Sequence, residues 1–252
     1  MHTYNARPDL LKDRIILVTG AGDGIGRAAA LTFARHGATV LLLGRTTAKL
    51  EAVYDEIESA GYPQPAILPV NLESTAYKDY QEVANAIDDE FGRLDGLLHN
   101  AAILGMRAPL DHYDPDTWMK VMHVNVNAAF MLTKALIPLL RKSEDASVVF
   151  TSSSVGRKGR AYWGAYAVSK FAVEGLMQVM ADEMDDPNYN VRVNSINPGA
   201  TRTQMRAFAY PAENPENNPR PEDIMPAYLY LMGPDSQGVN GQAFDAQPKP
   251  AS

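Results

Sequence analysis

The chain contains no cysteine. Neither a disulfide nor a thiolate zinc site can be built from it. Basic residues are in deficit, with 23 Lys and Arg against 30 Asp and Glu, a net charge of −7. A nucleic-acid binder usually shows a basic face, so that class is not expected. The five histidines, His2, His36, His99, His112 and His123, show no metal-ligand spacing. No metal is expected. No apolar run approaches the roughly 20 residues that span a bilayer. The start, MHTYNARPDLLKDR, lacks the apolar core of a signal peptide. These absences leave a soluble, cytoplasmic protein with no membrane contact as the expectation.

What is present fits a globular α/β protein. The 252 residues are 46% hydrophobic and 21% charged, ordinary values for a soluble domain. A chain this long can bury a sizeable core unaided. Short aliphatic runs at Ile15–Thr19, Thr39–Leu43, Ala66–Val70, Gly96–His99, Ser147–Thr151 and Arg192–Ile196 read as strands. Each is apolar on both faces, as buried parallel strands are. Helical patterns at Gly26–His36, Thr47–Ala60, Tyr77–Phe91, Thr117–Leu140 and Tyr166–Met184 alternate with them. A last short strand is expected near Gly241–Phe244. The alternation predicts a single Rossmann-type, doubly wound parallel sheet over residues 1–252, with helices on both faces. Five prolines between Pro211 and Pro226 make continuous helix unexpected before Asp223. The stretch 204–226 reads as an irregular loop beside the substrate or as a plain surface loop.

Thr19-Gly20-Ala21-Gly22-Asp23-Gly24-Ile25-Gly26 follows the first strand and opens the first helix. Glycines there permit a tight turn and close approach of a pyrophosphate to backbone N–H groups. The spacing T-G-x-x-x-G-x-G carries one residue more than the general dinucleotide fingerprint. The second strand ends Leu43-Gly44-Arg45-Thr46, with an arginine and no carboxylate. An acidic residue there would bind a ribose 2′-hydroxyl, whereas arginine accommodates a 2′-phosphate. NADP(H) is therefore favoured over NAD(H), the alternative being that Arg45 is a solvated strand end.

Tyr166 and Lys170 are four positions apart, one helical turn on one face. A nearby cation favours the phenolate and is expected to lower the tyrosine pKa from about 10. Such a tyrosine can exchange a proton with a carbonyl or alcohol oxygen. A serine run reaches Ser153, thirteen residues upstream. The set suits a hydride transfer, in which carbon takes H⁻ and oxygen takes H⁺.

In their order these motifs resemble the short-chain dehydrogenase/reductase family, in its branch of about 250 residues. The resemblance covers roughly Asp13–Asp245. At finer grain the chain resembles a bacterial oxidoreductase group, the YciK type. Asp13–Gly20, Thr151–Arg157 and Phe244–Pro248 carry that likeness. The resemblance implies Tyr166 as general acid/base and Lys170 as its cation and as holder of the nicotinamide ribose. It implies Ser153 as the residue that polarises the substrate oxygen. Ser152 and Ser154 are alternatives, but the spacing to Tyr166 selects Ser153. Asn125 would hold a water in a proton relay behind Lys170, or else be a polar residue that bends its helix. Cofactor contacts are implied at Gly20, Gly22, Asp23, Gly24, Ile25, Gly26, Arg45, Asn71, Leu72, Asn100, Ala101, Pro198, Gly199, Thr201 and Thr203. A homodimer or homotetramer is implied as well.

Three departures from the family pattern stand out. The usual N-N-A-G reads His99-Asn100-Ala101-Ala102, so Ala102 puts a methyl where glycine allows close approach. Asn71 replaces a common aspartate. The usual aspartate-glycine-glycine near the C-terminus reads Asp245-Ala246-Gln247, which puts a tight turn there in doubt.

Arg157, Lys158 and Arg160 form a cationic stretch just upstream of Tyr166. It would steer an anionic substrate, or be a solvated loop or an oligomer contact. Leu104, Met106, Tyr162, Trp163, Phe208 and Tyr210 are candidates for an apolar pocket. The expected partner is a small carbonyl or alcohol compound. The alternative is a non-catalytic NADP(H) sensor on the same fold, which would need the glycine loop but not the Tyr/Lys pair.

Overall fold

The computed structural model describes residues 4–248. Seven strands form one parallel sheet: β1 (Ile15–Thr19), β2 (Thr39–Gly44), β3 (Ala66–Pro69), β4 (Gly96–His99), β5 (Ala146–Thr151), β6 (Val191–Asn197) and β7 (Ala243–Asp245). Their spatial order is β3-β2-β1-β4-β5-β6-β7. Helices α1 (Gly24–Arg35), α2 (Thr47–Ser59), α3 (Tyr77–Phe91), α4 (Pro115–Met122), α5 (Ala128–Leu140), α6 (Gly164–Glu183), α7 (Gln204–Ala209) and α8 (Met225–Met232) complete it.

The central strands are buried along their whole length because both faces are covered. One hydrophobic core joins α1, α2 and α8 to the sheet. The other joins α3, α5 and α6 to the opposite face. The strand order reverses between β1 and β4. In open parallel sheets, ligands bind at such a switch point, beyond the carboxyl ends of the strands. The glycine loop leaves β1 there.

Two elements differ from the sequence expectation. The run read as one helix over Thr117–Leu140 is interrupted by a wide turn over His123–Asn127, in which the Ala128 N–H bonds the His123 carbonyl five residues back. Counted end to end, residues 115–140 are long and apolar enough to cross a membrane, and 56% of the most apolar stretch is buried inside the protein. Lys120, His123, Asn125, Asn127 and Lys134 interrupt it, so it is apolar on average and not one unbroken apolar run. Its buried face is part of the core beside α3 and α6. The stretch 204–226 is also more ordered than a loop. Thr203 caps α7 by accepting from the Arg206 N–H at 3.1 Å. Short single turns at Pro215–Asn217 and Pro221–Ile224 follow, and regular helix resumes at Met225. Prolines at the first position of those turns fix φ without removing a needed hydrogen bond.

Candidate active site

A cleft of about 610 Å³ runs from the glycine loop, across the ends of β1, β4 and β5, to Ser153 and Tyr166. Its shape follows from the turn after β1. A Cβ on Gly26 would lie 2.2 Å from the Gly20 carbonyl oxygen, so only glycine lets α1 start that close to the strand. Asp23 caps α1 by accepting from the Gly24 N–H at 2.8 Å. Lys49 sits 2.5 Å from the other Asp23 oxygen. That bond is the main reason the Asp23 carboxyl lies below its ordinary range. Thr19 joins the loop to β4: its hydroxyl accepts from the Asn100 and Ala101 N–H groups, each at 3.0 Å.

At the end of β2, Arg45 reaches Glu73 at 2.8 Å, and Lys120 takes the second Glu73 oxygen at 2.7 Å. The arginine side chain remains 63% exposed toward the cleft. Asn71 and Leu72 line the same end. Pro198, Gly199, Thr201 and Thr203 line the middle, after β6. The dipeptide Ala246-Gln247 has a definite task there. The Gln247 amide donates to the Pro198 and Ala200 carbonyls, both at 2.8 Å. Gly199 has φ +74°, and a Cβ on it would meet Gln247 at 2.8 Å. Ala102 adopts no positive φ, so its methyl imposes no backbone strain.

At the far end stands the Ser153, Tyr166 and Lys170 group. The Lys170 ammonium donates to the Thr151 carbonyl at 2.7 Å and lies 5.6 Å from the centre of the Tyr166 ring. Burial lowers the Lys170 pKa to about 8, against a smaller opposing pull from Glu174. Tyr166 does not follow the sequence expectation. Burial raises its phenol to about 12, and the Ser153 hydroxyl pulls in the other direction. The phenol is desolvated, while the ammonium is bound to a carbonyl and does not offset that burial. Ser152 is turned inward and fully buried, and Ser154 is exposed. Ser153 is therefore the serine that meets the phenol.

Gly26 and Asn125 lie behind the cleft and do not line it. Asn125 occupies the wide turn between α4 and α5. Its oxygen accepts from the Ile103 N–H at 2.8 Å, and its nitrogen donates to the Ile103 carbonyl and the Ser169 hydroxyl, each at 3.0 Å. Ser169 in turn donates to the Tyr166 carbonyl at 2.7 Å. Both amide protons are thus used in fixing the chain after β4 to α6. His99 is buried against Phe150 and Thr133. Burial and the Lys170 charge push its pKa down to about 3, so it stays neutral.

On the substrate side, Leu104, Trp163 and Tyr210 line the cleft. Met106, Tyr162 and Phe208 do not; they are 38%, 56% and 77% exposed. Of the three cations, only Arg160 lines it. Arg157 is turned inward, bonded to Glu174 at 3.2 Å and Asp245 at 2.8 Å. Lys158 points to solvent. Arg157 parts from the other two because it alone meets the carboxylates of Glu174 and Asp245.

Lys49 and Glu73 were not expected from the sequence, and Gln247 stood out there only as a departure from the family's glycine-glycine. Lys49 follows the second strand by one helical turn, a detectable signal. Glu73 acts across a long sequence separation and leaves none, and neither does the pairing of Gln247 with the Pro198 and Ala200 carbonyls.

A model of the short chain dehydrogenase family matches residues 14–214. The chain belongs to the short-chain dehydrogenase family. It is 56% identical over 248 residues to the uncharacterised oxidoreductase YciK of Escherichia coli K12, covering 98% of this chain and 97% of that one. A solved short chain dehydrogenase from Pseudomonas syringae superposes with a TM-score of 0.95 at 66% identity, covering 97% of this chain and 98% of that one. Another from Escherichia coli CFT073, complexed with NADPH, has a TM-score of 0.94 at 57% identity, covering 96% and 100%. This family member is thus an oxidoreductase of the YciK type.

Proposed function

We propose that this short-chain dehydrogenase is a cytoplasmic, NADP(H)-dependent reductase of a carbonyl compound, or the reverse alcohol dehydrogenase. The observation that carries the reading is the continuity of one cleft from Arg45 and the glycine loop to Ser153, Tyr166 and Lys170. The residues present fit an NADP(H) molecule. The glycine loop and the start of α1 would take the pyrophosphate. Arg45, with Lys49 one turn on, would take the 2′-phosphate. Asn71 and Leu72 would flank the adenine, and Asn100 and Ala101 its ribose. The Pro198–Thr203 turn would meet the nicotinamide amide. The NADPH complex of a relative 57% identical supports the same preference.

Bound NADPH supplies a hydride to the carbonyl carbon. Ser153 donates a hydrogen bond to the carbonyl oxygen and polarises it. Tyr166 gives that oxygen its phenolic proton, leaving an alcohol. The phenolate that forms is stabilised by the Lys170 cation and regains a proton from solvent. A phenol raised to about 12 is kept protonated and ready to donate. Asn125 is a positioning residue, holding α6 through Ser169. A sensor would not need Ser153, Tyr166 and Lys170 gathered at the end of the cleft.

Arg45→Ala tests the cofactor reading. It is expected to raise the Kd for NADPH at least tenfold while changing that for NADH little, as read by nicotinamide fluorescence. Equal weakening of both would remove the 2′-phosphate argument.

A further inference from the structure

The substrate end of the cleft has an unusual electrostatic character for so acidic a chain. The two carboxylate residues that line the cleft, Asp23 and Glu73, lie at the glycine-loop end, and both are paired with cations. Around Trp163 and Tyr210 stand three arginines. The Arg206 guanidinium lies 3.9 Å from the Tyr210 ring centre and is neutralised by Glu213 at 2.6 Å. The other two have no carboxylate partner among the described residues. Arg160 makes one side-chain bond, to the Tyr210 hydroxyl at 3.1 Å. Arg107 flanks the rings of Trp163 and Tyr210, 4.7 and 5.0 Å from their centres, just outside the cleft lining, and bonds only the Ala209 carbonyl.

A second observation concerns Trp163. It is only 7% exposed, it lines the cleft, and its ring centre is 5.7 Å from that of Tyr166. Its indole N–H is buried with no protein acceptor. A buried donor without an acceptor is costly, and a ligand oxygen would satisfy it. The orphan N–H thus sits beside the Tyr166 ring, and two guanidiniums without a carboxylate partner stand around the Trp163 and Tyr210 rings, Arg107 against both and Arg160 on the Tyr210 hydroxyl.

We infer that the substrate carries an anionic group, a carboxylate or a phosphate, held by Arg160 on the cleft wall and backed by the nearby Arg107 at its rim, while its carbonyl meets Ser153 and Tyr166. This rests on the reductase reading and names the substrate class of that same site. Guanidinium forks suit both anions. The Trp163 N–H would bond an oxygen of the substrate chain between the two ends. The redox balance is unchanged: ketone, NADPH and one proton give alcohol and NADP⁺.

The test pairs each anion with a neutral counterpart. NADPH oxidation is followed with levulinate and longer oxo-acids against their methyl esters, and with dihydroxyacetone phosphate against dihydroxyacetone. Wild type, Arg160→Gln, Arg160→Lys, the Arg160→Gln/Arg107→Gln pair and Tyr166→Phe are compared, each checked by thermal unfolding. The expected result is kcat/KM at least tenfold higher for one anionic set than for its neutral partners. The double substitution should bring that ratio close to one, and Arg160→Lys should retain part of it. The set that shows the preference tells carboxylate from phosphate. In parallel, the same oxo-acids and phosphate are titrated into the NADP⁺-loaded protein and read by tryptophan fluorescence. Binding of an anion that the double variant loses supports the inference even without turnover. Equal use of acid and ester, or no arginine-dependent anion binding, overturns it. Failure of the reductase reading gives a different signature: wild type turns over neither the anionic nor the neutral compounds while NADPH still binds.

Discussion

Tyr166 and Lys170 occupy one face of α6, yet their environment sets their chemistry more than their spacing does. Desolvation acts on both: it keeps the phenol protonated and brings the ammonium down to about 8. A cation is present below its pKa and absent above it. In the proposed mechanism Lys170 stabilises the phenolate left by proton donation, so reduction should weaken as pH rises through about 8. Tyr166 remains a proton donor throughout that interval. The kcat/KM for carbonyl reduction should therefore show one descending limb near pH 8 between about pH 6 and 10, since this parameter reports groups of the free enzyme. A profile flat across that limb would remove Lys170 from the role. The pairing itself was legible in the sequence. The direction of the tyrosine shift was not, because burial against Trp163 and Val155 depends on elements distant in the chain.

The elements divide in the same way. Six strands and five helical stretches show in the periodicity because each carries its own apolar pattern. The wide turn at His123–Asn127 does not, since Val124 and Val126 carry apolar residues through it and no glycine or proline marks it. The six-residue α7 is hidden by the prolines that follow it. Of the site, the glycine loop, Arg45 and the Ser153–Tyr166–Lys170 set could be read directly. The parting of Arg157, Lys158 and Arg160 could not, as it depends on which side chain meets Glu174 and Asp245. Gln247 is the clearest case of a long-range device. It ties the turn after β6 to the end of β7, in place of the glycine-glycine that the family commonly has. Removing its amide frees two carbonyls and loosens Gly199. Gln247→Ala should raise the KM for NADPH by about threefold to tenfold, with a loss of about 1 kcal/mol in stability. Cofactor titration and chemical denaturation check both; an unchanged KM would show that the turn holds itself.

At the scale of the molecule, α5 and α6 present large apolar residues outward. Phe130, Val168, Phe171 and Val179 are 49%, 42%, 45% and 56% exposed. Exposed apolar residues on these helices are what a homodimer or homotetramer would cover. Light scattering after size exclusion should give a mass at least twice the 27.5 kDa of one chain. Phe171→Glu should shift that mass toward the monomer; a monomeric wild type would rule the surface out. Because α6 also carries Tyr166 and Lys170, loss of the mate should lower turnover in the same variant.

The decisive measurement follows NADPH consumption over a panel of ketones, aldehydes and quinones, with NADH in parallel and Tyr166→Phe as control. Turnover faster with NADPH, and reduced by about 10²-fold or more in Tyr166→Phe with NADPH affinity retained, is the predicted result. Turnover undiminished in Tyr166→Phe would contradict the assignment of the proton donor.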